Sequence, residues 1–69
     1  MSYIEFYLQK LSDANPNVRK RVAELLGTSR KPSALSRLRS VLPNEENPDA
    51  QIAMQQAIES LAVSLDTMN

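Results

Sequence analysis

Cysteine, histidine and tryptophan are all missing from this chain of 69 residues, and glycine occurs once. Without cysteine or histidine there are no disulfides, no thiolate or imidazole metal ligands, and no nucleophile or base built on either residue. A single glycine also excludes a glycine-rich phosphate-binding loop. These absences predict a protein without a metal or a cofactor, in which packing alone supplies the stability.

Long apolar runs are missing as well. The longest uninterrupted run is three residues, far short of the roughly 20 of a membrane-spanning helix. The N-terminus also lacks the basic and apolar regions of a signal peptide. We therefore expect a cytoplasmic protein that does not insert into a membrane.

Charge is balanced overall but unevenly distributed. Eight basic and eight acidic residues cancel, yet residues 18–39 hold seven basic side chains and one acidic side chain. Residues 40–69 hold five acidic side chains and no basic one. An electrically polarised molecule of this kind is expected to orient its partners as they approach.

Four segments carry apolar residues at helical spacing, and none alternates as a strand does. The first helix is predicted at about residues 3–11, opened by a capping box of Ser2 and Glu5. The third begins at Pro32 and is closed by Pro43, because proline cannot continue the hydrogen-bond ladder. The pattern is typical of an all-α fold.

The second and fourth helices have the clearest start signals. Asn15 is a favourable N-cap, followed by Pro16 at the first helical position, and Asn47 and Pro48 repeat this pair. The predicted helices span about 16–26 and 48–66. Gly27 is predicted to end the second helix as a left-handed C-cap residue.

The chain therefore contains one structural unit twice. Four apolar positions of the second helix recur 32 residues later in the fourth: Val18, Val22, Leu25 and Leu26 correspond to Ala50, Met54, Ala57 and Ile58. Two helical hairpins, at about 2–27 and 32–66, are predicted to stack as one domain over residues 1–69. Met54 is expected in its core.

Within LSDANPNVRKRVAELLG the chain resembles the HEAT repeat, in particular the shorter variety of proteins related to phycobilisome lyases. The resemblance rests on Leu11, Asp13, Pro16, Val18, Arg19, Ala23, Leu26 and Gly27. The second half departs from the pattern, with Glu45 in place of Asp and Gln51 in place of Arg. The resemblance implies a HEAT-like mini-solenoid that presents a surface to other macromolecules, with Arg19 paired to Asp13.

No residue cluster predicts catalysis. Glu45, Glu46 and Asp49 lie at a turn beside two prolines, and we interpret them as a solvated loop that favours the positive end of the fourth helix. The expected function is non-enzymatic protein–protein interaction or scaffolding. By resemblance alone, an accessory role in bilin lyase action or in phycobilisome assembly or turnover is an alternative, although without cysteine the chain holds no thioether-linked bilin.

Apolar side chains outside the main stripes are the first candidates for partner binding. They are Tyr3 and Phe6 in the first helix and Ile52 and Val63 in the fourth. Repeat stacks usually carry polar caps at both ends, and neither end here has one. These residues therefore predict a homodimer or a subunit of a larger complex, unless the first helix folds over and buries Tyr3 and Phe6.

Basic residues form the second candidate surface. Lys20, Arg21, Arg37 and Arg39 are available to an acidic protein or to nucleic acid, or are simply the solvated face of two helices. Zero net charge and an acidic C-terminal half favour a protein over a long duplex. A small nucleic-acid-binding module remains the alternative function.

Overall fold

Four α-helices and one 3-10 turn make up the computed structural model, which describes residues 3–67. The helices are α1 (Tyr3–Lys10), α2 (Pro16–Leu26), α3 (Pro32–Val41) and α4 (Pro48–Asp66), with the turn at Leu42–Asn44. Residues 3–67 contain no strand, which confirms the all-α prediction. Ser2, the predicted cap of α1, lies outside the described residues. No helix in that range is long and apolar enough to cross a membrane.

The predicted starts of α2 and α4 are confirmed in detail. Asn15 and Asn47 both have extended backbone conformations, and each is followed by proline at the beginning of its helix. The Asn15 side chain accepts the N–H of Asn17 at 2.9 Å, and the Asn47 side chain accepts the N–H of Ala50 at 3.0 Å. Each asparagine thus satisfies one of the free donors of a helix N-terminus.

The helices pair into two stacked hairpins. Hairpin one consists of α1 and α2, and hairpin two of α3 and α4, with α2 packed along α4 and α1 beside α3. The largest fully buried side chains are Leu26, Leu38, Met54 and Leu61. They lie in α2, α3 and α4, so the core sits between the hairpins, and Met54 is confirmed as a core residue.

The predicted left-handed conformation of Gly27 is wrong. Gly27 is right-handed, with φ −61° and ψ −21°, and its N–H still donates to Ala23. The left-handed residue is Arg30, with φ 58°, three positions later. Glycine is needed at position 27 for space, because a Cβ there would lie 3.2 Å from both Cα and Cβ of Ala57.

We expect Gly27→Val to force α2 and α4 apart. A Cβ already meets the backbone of α4 at 3.2 Å, and valine adds two further methyl groups to that Cβ. Overpacking of this kind typically costs about 1–3 kcal/mol. Thermal unfolding followed by circular dichroism measures the loss, with Thr28→Val, at an exposed neighbouring position, as the control. Equal melting temperatures for the two variants would contradict the close approach.

Candidate protein-binding surface

A charged pair joins the two hairpins. The Arg19 guanidinium in α2 donates from Nε to Glu45 Oε1 at 2.7 Å and from Nη2 to Glu45 Oε2 at 2.8 Å. Its Nη1 donates to the backbone carbonyl of Asp13 at 2.7 Å. The Glu45 side chain is 3% exposed and also accepts the N–H of Asn47. Arg19 thereby ties the turn before α2 to the turn before α4.

This geometry corrects two expectations. The acidic partner of Arg19 is Glu45 of the other hairpin, whereas Asp13 contributes its main-chain carbonyl. Glu45 is buried and not part of a solvated loop, while Glu46 and Asp49 are exposed as expected. A bidentate guanidinium–carboxylate contact explains why the burial is tolerated, since the charge is matched and hydrogen-bonded.

Electrostatics keep this pair ionised. The hydrogen bonds from Arg19 lower the pKa of Glu45 despite burial, and they raise the pKa of Arg19. A cleft of about 340 Å³ lies beside the pair, lined by Leu11, Ser12, Val41 and Asn44 among others. A carboxylate held ionised by an arginine serves as a structural link, not as a general acid near neutral pH. Residues 3–67 contain no cluster of three or more acidic, histidine or cysteine residues able to hold a metal.

The outer side of hairpin one carries an apolar groove, which we call the hairpin-one groove. Its volume is about 470 Å³, and its apolar walls are Phe6 and Tyr7 from α1 with Val18, Val22 and Leu25 from α2. Phe6 is 51% exposed and Leu25 is 38% exposed. Tyr3, at 65% exposure, packs edge-on against Tyr7 with ring centroids 5.9 Å apart. Tyr3 and Phe6 are therefore on the surface, not buried by α1.

The rim of the hairpin-one groove is polar and charged. Lys10, Asp13, Asn17 and Arg21 line it. Lys10 Nζ lies 5.4 Å above the Phe6 ring and 3.7 Å from the Asp13 carboxylate. Arg21 is 75% exposed, with Glu24 at 3.9 Å. Apolar walls within a polar and charged rim are the usual anatomy of a protein interface.

Ile52 and Val63 form a separate exposed row on α4. They are 52% and 65% exposed and stand eleven residues apart, which is close to three helical turns and places them on one side. Gln56 and Glu59, both exposed, lie between them. Polar residues separate the two apolar side chains of this row, so it is a weaker candidate surface than the hairpin-one groove.

The four predicted basic residues are all exposed, and the two in each helix do not share a face. Arg37 and Arg39 are two positions apart in α3, and side chains at that spacing do not share a face. Lys20 and Arg21 are adjacent in α2 and diverge in the same way. Of the four, Arg21 lines the hairpin-one groove. This spread does not favour a single basic surface for nucleic acid.

Two residues of functional interest were not predicted as such from the sequence. Leu25 and Val18 belong to the apolar positions that recur between the second and fourth helices, and both line the groove. The available signal is that their counterparts in α4, Ala57 and Ala50, are small. A small residue allows the neighbouring helix to approach, whereas leucine and valine at those positions mark a surface that α3 and α4 do not cover.

Comparison with known families decides the identity of this architecture. Residues 4–66 match the family description "HEAT repeats". The chain belongs to the HEAT repeat family. No curated protein and no solved structure matches it. HEAT repeats generally mediate protein–protein interaction or scaffolding and are typically non-catalytic. The match is to HEAT repeats in general, so the closer likeness to the lyase-related variety stays a prediction.

Proposed function

We propose that this HEAT-repeat chain is a non-catalytic binding module that holds a partner protein, or a second copy of itself, in the hairpin-one groove. The observation that carries the proposal is the groove itself, where Phe6, Leu25 and Val18 meet inside a charged rim. Burying a large apolar side chain stabilises a complex by about 1.5–3 kcal/mol. A core of this size rarely supplies more than about 3–5 kcal/mol in total. The stabilisation that these residues forgo by staying exposed to water is therefore a large share of that total.

Self-association is the simplest form of the proposal. Two copies related by a two-fold axis can match one groove with the other, which closes the assembly and leaves no open end. The row of Ile52 and Val63 provides a second contact where the partner is larger. Such a partner makes the chain a subunit of a complex in the cytoplasm, and an assembly of the phycobilisome type is one such setting implied by the likeness to lyase-related repeats.

Phe6→Glu tests the proposal. Placing a carboxylate in the apolar wall of the groove is expected to weaken association at least about ten-fold, since the lost burial exceeds the 1.4 kcal/mol that corresponds to a factor of ten. Sedimentation velocity over a concentration series measures self-association of the 7.7 kDa chain, and affinity capture from the natural source measures binding of another protein.

Gln9→Glu is the matched control, because Gln9 is exposed on the same helix and does not line the groove. It is expected to leave association unchanged, and both variants are expected to keep the helical circular dichroism of the parent. A strictly monomeric protein that captures nothing, or equal losses in the two variants, would refute the proposal.

A further inference from the structure

The turn that precedes α2 shares two hydrogen bonds with the turn that precedes α4. Asn15 N–H donates to the Asp13 carboxylate at 2.9 Å, and Asn47 N–H donates to the Glu45 carboxylate at 3.0 Å. Arg19 and Gln51, each six residues after its acidic residue, both donate to that residue's backbone carbonyl. Asp13 is therefore the structural counterpart of Glu45, 32 positions earlier.

The two counterparts differ in what binds their carboxylates. Glu45 receives two charged hydrogen bonds from Arg19, which belongs to the preceding hairpin, and its side chain is 3% exposed. Asp13 has Lys10 at 3.7 Å, and its side chain is 28% exposed. In hairpin two, the acidic residue at this position binds an arginine of the preceding hairpin. Asp13 is at the same position in hairpin one.

Most of the α2 side of the hairpin-one groove follows the same correspondence. Four of its five α2 residues have counterparts that are buried in α4, which packs along α2: Val18, Arg21, Val22 and Leu25 correspond to Ala50, Ala53, Met54 and Ala57. The fifth, Asn17, corresponds to the exposed Asp49. The α2 side of the groove thus corresponds to a buried surface of α4, along which α2 packs. A helix in the orientation of α2 is the shape that fits it.

We propose that the hairpin-one groove binds a helix of another protein that presents an arginine to Asp13, as Arg19 of α2 is presented to Glu45. This rests on the proposed function and names the partner's chemistry. The helix carries small or apolar residues four and seven positions after its arginine, where α2 carries Ala23 and Leu26. The Asp13 carboxylate supplies the charge complementarity, and Phe6 and Leu25 supply the apolar contact.

A second copy of this chain does not offer such a helix. Its Arg19 is already bound to Glu45, and the surrounding face of α2 is covered by α4. In α4 the counterpart of Arg19 is Gln51, which has no charge, and the counterpart of Gly27 is Glu59, which carries the Cβ that is absent from the close contact at Gly27. A second copy of this chain therefore does not supply the arginine-bearing helix.

The test uses a peptide of residues 16–27 as the probe, held helical by a lactam between Lys20 and Glu24. These two side chains are exposed in α2, away from the face that carries Arg19 and Leu26. Fluorescence anisotropy of the labelled peptide measures its affinity for the full chain. We expect saturable binding that Asp13→Asn in the protein weakens about ten-fold or more, because loss of one charge from an interfacial pair leaves the other unmatched. The substituted side chain retains an amide oxygen that accepts the Asn15 N–H, so the turn itself is preserved.

Further variants separate the outcomes. Arg19→Gln in the peptide is expected to weaken its binding to the unmodified protein as much as Asp13→Asn in the protein weakens binding of the unmodified peptide. When both substitutions are present, the affinity is expected to be little lower than with either one alone. Phe6→Glu in the protein is expected to abolish binding. Absence of saturable binding would overturn this inference and leave the proposed function to its own sedimentation and capture tests. Binding that is lost with Phe6→Glu but indifferent to Asp13→Asn would also overturn it, while supporting the groove as a binding surface.

Displacement of the chain's own α2 by the peptide is a third outcome. In that case Glu45→Gln in the protein would change the affinity for the peptide and Asp13→Asn would not, because the peptide would then occupy the site of α2 on α4. That result, too, would overturn the inference. A two-fold homodimer that buries the groove and excludes the peptide would do the same, while confirming the proposed function.

Discussion

Leu26→Ala is expected to leave much of the protein unfolded at room temperature. Leu26 is fully buried at the interface of the two hairpins. Truncating a buried leucine costs about 2–5 kcal/mol, which is comparable with the roughly 3–5 kcal/mol that a core of this size supplies. The far-UV circular dichroism at 25 °C and the thermal unfolding curve measure the effect.

The adjacent leucine provides the matched control. Leu25 is 38% exposed and faces the groove, so Leu25→Ala is expected to lose less than half as much stability. The two substitutions remove the same atoms from the same helix. Equal losses would show that α2 does not direct Leu26 into the core and Leu25 towards the groove.

Glu45→Gln is expected to lower the melting temperature at neutral pH by at least about 5 °C, because it leaves the Arg19 guanidinium without a charged partner at the junction of the hairpins. Glu46→Gln is the control, since Glu46 is the exposed neighbouring carboxylate. It is expected to change the melting temperature little. Similar melting temperatures for the two variants would contradict the structural role of the pair.

The same pair predicts a specific dependence on pH. Hydrogen bonds from Arg19 lower the pKa of Glu45 below its ordinary value of 4.5, so the folded state binds this proton less readily than the unfolded chain does. The contribution to stability is complete above pH 4.5 and is lost as the pH falls through the lower pKa of the folded state. Melting temperatures between about pH 6 and pH 3 should therefore fall less steeply for Glu45→Gln than for Glu46→Gln.

Helix positions follow from local residues, which is why the sequence predicts them well. Asn15 with Pro16 and Asn47 with Pro48 start α2 and α4 where expected, because the caps act within one turn of their own helix. Gly27 shows the limit of this reasoning. Glycine is required at this position because Ala57 of α4 lies close to it. The residues around Gly27 do not indicate a contact with a residue 30 positions away.

The binding surface was predicted in part for the same reason. Tyr3 and Phe6 stand outside the apolar stripe of α1, and the structure places both on the surface. The involvement of Val18, Leu25 and Asp13 depends on which hairpin covers which face, and the periodicity of one helix does not contain that information. The Arg19–Glu45 pair was not predicted either, because it joins residues 26 positions apart in different hairpins.

Site-specific photocrosslinking in the natural source tests the central claim most directly, namely that the hairpin-one groove is the surface covered by a partner. A benzophenone amino acid replaces, one at a time, Phe6 and Leu25 in the groove, and Gln9 and Ile52 outside it. We predict that both groove positions form a covalent adduct with the same segment of the same protein and that Gln9 forms none. Adducts of equal yield from Gln9 and Phe6, or adducts from Ile52 with none from Phe6 and Leu25, would contradict the account.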